Sequence, residues 1–167
     1  MAKSLDFVVR KILDNKLRSF GVEGDSPARR TLDLSAYSAD LGSISSVGLH
    51  LGSGDTTLTL DDDKIWVTGT LVKFPSDPIS RGPTGLNSKK SIYTIFVKSP
   101  KDLGEYVNEA VSAEIETYFS FNEHITLEGE QVTILESYQA PSVYIDGKTG
   151  RYWNRILVEC EVFYINN

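Results

Sequence analysis

The chain has one cysteine, Cys160, and two histidines, His50 and His124. A single cysteine excludes an internal disulfide and any zinc site built on several thiolates. It also suits a reducing compartment. The two histidines lie in unrelated segments with no further ligands announced beside them. Each reads as a partly exposed strand residue rather than a metal ligand. Positive charge is short as well, since 17 Lys and Arg face 23 Asp and Glu, a net charge of −6. Tight, sequence-independent binding of nucleic acid needs a basic footprint that this balance does not supply. A protein that surrounds DNA without gripping it remains compatible. No apolar run approaches the ~18 residues of a membrane span. Met1-Ala2-Lys3-Ser4 lacks the basic-then-apolar pattern of a signal peptide. The expectation is a soluble, cytoplasmic domain.

Recognisable reaction chemistry is missing too. There is no G-x-S-x-G elbow, and Cys160 falls on the apolar side of an alternating strand, where a buried structural thiol is expected. No glycine cluster opens a helix after a strand, and no phosphate-loop Lys-Ser/Thr pattern occurs. Asp61-Asp62-Asp63, with Asp55 upstream, is the densest acidic cluster. Neighbours in a strand point to opposite sides and the spacing of a calcium loop is absent, so it reads as a solvated turn. Glu105 and Glu109, four apart, would be the acid and base of an enzyme reading, but an outward charged helix face explains them more simply. No enzyme and no cofactor is expected.

What is present is an ordinary core, 40% hydrophobic and 24% charged over 167 residues, which suits a single domain. Ser4 is a natural N-cap. Leu5, Val8, Val9, Ile12, Leu13, Leu17 and Phe20 follow at helical spacing, with Gly21 as a stop. Residues 22–64 are dense in Gly, Ser, Asp and Pro. Short strands are expected at 47–51 and 56–60, as a hairpin insertion or an arm ordered against a neighbour. A strand at 65–74 should end at Pro75, Asp77 and Pro78. A mobile, locally basic loop, 80–90, carries Arg81, Lys89 and Lys90, and a strand covers 92–98.

Ser99-Pro100-Lys101-Asp102 reads as a helix start. Its core residues are Leu103, Val107, Ala110, Val111, Ile115, Tyr118 and Phe119, with Glu105, Asn108, Glu109, Ser112 and Glu116 outside. Two hairpins close the chain, one turning at Gly129-Glu130 and one around 146–150. In the last strand Tyr152, Ile156, Val158, Cys160, Val162 and Tyr164 alternate with polar neighbours. The fold class is α+β, a mostly antiparallel sheet packed by two amphipathic helices with an extended loop or hairpin insertion.

This layout resembles a known family. The basic glycine-containing loop leads into Ile92-Tyr93-Thr94-Ile95-Phe96-Val97, and Ser99-Pro100-Lys101-Asp102-Leu103-Gly104 opens a helix. Past Phe119-Ser120-Phe121 comes the hairpin with Val132-Thr133-Ile134, then Pro141 and a long strand ending near Tyr164. With Phe74-Pro75 and the first helix, the arrangement is similar to the lambda-like tail terminator and minor tail proteins of tailed bacteriophages, over 5–20 and 65–166. The resemblance implies a ring, expected to be hexameric, that caps the tail tube, ends its polymerisation and offers the head-joining surface. Its partners would be further copies of itself, the tail tube protein and head–tail connector proteins. It would belong to the virion tail, assembled in the host cytoplasm, with DNA passing through unbound. The loop holding Arg81, Lys89 and Lys90 would face the lumen or the tube. Two other readings stay open: another neck or head-completion protein, and a binding module using Trp66, Trp153, Tyr144 and Tyr152 as an aromatic platform.

Overall fold

Ser4 has an extended backbone and its hydroxyl accepts the Phe7 amide, so the first helix, α1 (Leu5–Arg18), starts on a side-chain cap. Val8, Val9, Ile12, Leu13 and Leu17 are buried along one stripe, and Lys16 and Arg18 sit in the last turn, where the helix dipole favours cations. The computed structural model describes residues 4–21, 28–53, 64–79, 85–140 and 144–165, with the side chains of 76–78 left aside.

Seven strands form one sheet in the order β1 (Ala28–Asp33), β2 (Ser46–Ser53), β3 (Ile65–Pro78), β4 (Leu86–Ser99), β8 (Tyr152–Ile165), β6 (Glu130–Gln139) and β5 (His124–Leu127). A short β7 (Tyr144–Ile145) pairs with the start of β8. Neighbours are antiparallel except β2 with β3. The class is therefore α+β. The described part of 22–64 forms an antiparallel pair, β1 with β2, within the main sheet, as the hairpin expectation has it, and β2 covers the expected 47–51 strand. A 3-10 turn at Ser35–Tyr37 and a one-turn helix α2 (Ser38–Leu41) join those two strands. The 56–60 strand expectation lies outside the described residues.

The third helix, α3 (Glu105–Tyr118), starts later than the Ser-Pro signal predicts. Ser99 ends β4, Lys101–Leu103 forms a 3-10 turn, and Gly104 takes φ +80°, which breaks the path before the α-helix begins. Asn108 and Ser112 also differ from expectation, being fully buried rather than outward. The Asn108 amide donates to Val97 O at 3.1 Å, Ser99 Oγ at 2.8 Å and Tyr152 O at 3.3 Å. Its Nδ2 thus satisfies acceptors where β4 and β8 meet the helix, while its Oδ1 has no hydrogen-bond partner among the described residues.

Both long helices lie on one face of the sheet. Tyr93 on β4 donates to Asp14 of α1 at 2.6 Å, and its phenol is pushed up by burial and the Asp14 charge. Ile95, Val97, Ile156, Val158, Val132 and Ile134 share that helix-covered face. Lys16–Glu123 and Lys11–Glu128, each 2.6 Å, tie α1 to the ends of β5. The β5–β6 turn falls one residue earlier than expected, at Glu128 (φ 55°) and Gly129 (φ 86°), a two-residue turn with both φ positive.

β3 does not stop at Pro75. A register shift between Lys73 and Ser76 absorbs the proline, whose missing N–H then interrupts no ladder bond, and pairing continues to Pro78 opposite Asn87. Cys160 sits on the helix-covered face with its thiol donating to Ser91 O at 3.4 Å, and burial pushes that thiol up to about 12. The expected result with an aromatic disulfide reagent at mildly alkaline pH is no reaction in the native protein and one thiol per chain after denaturation. Rapid native labelling would contradict this placement.

Candidate assembly interface

The three long strands outrun the helices that cover them. β3, β4 and β8 each have 14 residues, about 46 Å of extended chain. α1 and α3 also have 14, but a helix of that length spans about 21 Å. On the face opposite the helices burial is uneven, with Trp66, His50 and Thr94 buried at one end and large apolar side chains exposed at the other.

That outer face carries large apolar side chains at the far end of the three strands. Val72 is 49% exposed, Phe74 42%, Phe163 48% and Ile165 57%. The register joins them: Val72 is opposite Ile92, Ser88 opposite Phe163, and Leu86 opposite Ile165. Ile79 N bonds Leu86 O and adds another exposed side chain. Phe74, Pro75, Ile92 and Leu135 line a cleft of ≈ 420 Å³ whose walls also hold Lys90 and Glu159. These side chains fall into two apolar groups on one face, Val72 and Phe74 beside Ile92, and Phe163 and Ile165 beside Leu86, with the Lys90–Glu161 pair between them.

Lys89 and Lys90 are not in a loop. Both belong to β4, where successive side chains point to opposite faces. Lys89 lies on the helix side and pairs with Asp6 at 2.6 Å, with Lys73 on the same carboxylate at 3.7 Å. Lys90 is exposed on the outer face beside the apolar cleft. The two cations therefore form no common basic patch, and Arg81 lies outside the described residues, as does the Asp61–Asp63 cluster. Deleting 81–90, which a loop would tolerate, instead removes the pairs from Leu86–Ile165 to Lys90–Glu161 and the Asp6–Lys89 bridge. The expected outcome is a loss of about 3 kcal/mol or more, read from denaturant unfolding. Unchanged unfolding would show that this end of β4 contributes nothing.

The near end of the outer face differs. Arg29, His50, Trp66, Lys98, Trp153 and Tyr144 are opposite one another in unbroken register across six strands. The Lys98 ammonium lies 4.3 Å from the centroid of Trp153, and His50 meets Trp66 edge-on at 4.8 Å. Burial, and then the neighbouring Arg151, push the Lys98 ammonium below its ordinary value. Sequence reading missed this row, because cross-strand neighbours are far apart in the chain.

The four-aromatic platform does not form. Trp66 is only 3% exposed. Tyr152 lies on the helix-covered face, where its carbonyl accepts from Asn108, while Trp153 and Tyr144 share the outer face. His50 is buried rather than partly exposed, and His124 is exposed on β5, so the structure does not bring the histidines together. Glu105 and Glu109 are both exposed on α3, as expected. A sequence signal for the apolar end did exist: Phe163 and Ile165 put large apolar residues in the polar phase of the last strand.

No family model matches the chain, and no curated protein matches it. A solved structure whose name describes no function is similar over 96% of both chains, with TM-score 0.62 and 14% identity. At that identity the similarity shows a shared fold.

Proposed function

We propose that this chain is a structural assembly protein of the tail-terminator kind: a ring subunit that caps the tail tube, ends its polymerisation and forms the head-joining surface. The observation that carries the reading is the exposed apolar end of β3, β4 and β8, a surface that water disfavours and a partner would cover. The layout shared with lambda-like tail terminators supplies the partners, namely further copies in a ring expected to be hexameric, the tail tube protein and head–tail connectors. A net charge of −6 suits a conduit through which DNA passes unbound, since strong phosphate contacts would retard it. No catalysis and no cofactor enter this reading. Lys90 remains its best-placed charged contact, beside the cleft.

Native mass spectrometry with and without purified tail tubes tests it. The expected result is a closed multiple of the 18.5 kDa chain that binds tube ends. A monomer that stays monomeric on tubes would overturn the reading. Cryo-microscopy of particles then assigns position, with density at the head favouring a neck protein instead.

A further inference from the structure

Among the described residues the outermost strands of the sheet are β1 and β5. The backbone groups that point outward can be deduced. Leu34 N donates to Ser45 O at 2.7 Å, continuing the β1–β2 register. Antiparallel pairs alternate, so Leu32, Arg30 and Ala28 bond inward, while Arg29, Thr31 and Asp33 direct N–H and C=O to the open side. At the other edge the two-residue turn makes Leu127–Glu130 a hydrogen-bonded pair, and Ile134 N to Glu123 O at 2.9 Å keeps the same phase. His124 and Thr126 therefore point their backbone groups outward.

The topology orients these edges for each other. Following the pairings from β1 through β2, β3, β4, β8 and β6 to β5, the direction reverses five times in six steps, so β1 runs opposite to β5. Repeating the sheet head to tail, with helices kept on one side, brings β1 of one copy antiparallel to β5 of the next. The buried side chains agree, because Ala28 and Leu32 on β1 and the partly buried Ile125 and Leu127 on β5 pack against the same core. A junction between the two strands would continue both faces of the sheet.

We propose that copies of this chain join by adding β1 of one to β5 of the next, with Thr31 opposite Thr126. That register sets Asp33 opposite His124 on the outer face, where an imidazole N–H can donate to the carboxylate. Hydrogen bonds from Ser35 hold the Asp33 carboxyl below the usual range, so it is anionic at neutral pH. Such a contact joins unlike patches, the kind that closes into rings. The proposal rests on the ring reading above and names the surface that builds it.

Two measurements test it. Thr31→Cys and Thr126→Cys chains, mixed and treated with a short bifunctional maleimide, are expected to give covalent dimers that neither variant gives alone. Cys160 is buried and does not compete. Thr126→Pro removes an outward donor without removing an inward ladder bond, and is expected to weaken ring formation by about tenfold or more. A wild-type chain that is monomeric even on tubes overturns the ring reading and this junction with it. Wild-type rings with no mixed cross-link, or a folded Thr126→Pro chain with undiminished rings, overturn the junction alone. Should Thr126→Pro fail to fold, the cross-link decides.

Discussion

Gly69→Ala is expected to destabilise the protein by about 3 kcal/mol, enough to lower Tm by roughly 6–12 °C for a chain of this size. A Cβ at Gly69 would overlap the hydroxyl and Cζ of Tyr93. Tyr93 cannot yield cheaply. It is fully buried, its hydroxyl donates to Asp14 at 2.6 Å, and its ring packs 6.3 Å from Phe119. Gly69 is thus the gap in β3 through which a β4 phenol reaches α1. Tyr93→Phe, which removes only the hydroxyl, should cost less, about 1–2 kcal/mol. Thermal and denaturant unfolding of both variants checks the ordering. Equal stability of Gly69→Ala and wild type would mean that Tyr93 does not occupy this gap.

The second large effect concerns assembly rather than folding. The double variant Val72→Asp/Phe163→Asp should keep its unfolding free energy within about 1 kcal/mol of wild type, since both side chains are half-exposed on the outer face. Its binding to tube ends should fall by about 100-fold or more. Burial of each large apolar side chain contributes roughly 1.5–3 kcal/mol, and an unpaired carboxylate in its place adds a desolvation penalty. Co-sedimentation with tubes, alongside denaturant unfolding, separates the two readouts. Undiminished co-sedimentation of a folded double variant would remove this face from the interface.

Local patterns in the sequence were reliable where one face of an element met one core. The first helix and the alternating last strand were legible because Val8, Ile12, Leu13 and Leu17, and then Ile156, Val158, Cys160 and Val162, all pack against the same helix–sheet layer. Other features depended on partners distant in sequence. Pro75 reads as a strand end but is tolerated by a register shift. Asn108 reads as an outward residue, yet its amide is needed by acceptors 9, 11 and 44 residues away. Lys89 reads as a loop cation, yet Asp6 at the start of the chain holds it. The apolar end of the outer face was partly visible in Phe163 and Ile165. The cation–aromatic row was not, because its order exists only once six strands are in register.

The shared length of β4 and β8 has a mechanical consequence. Their 14 paired positions run from Leu86–Ile165 to Ser99–Tyr152 without a break, and ladder bonds stand perpendicular to the strands. A pull along the strand axis therefore loads the whole ladder in shear, all rungs sharing the force, whereas a pull across it would open rungs one after another like a zipper. The molecule is stiffest along the line that runs from its helix-supported end to its apolar tip.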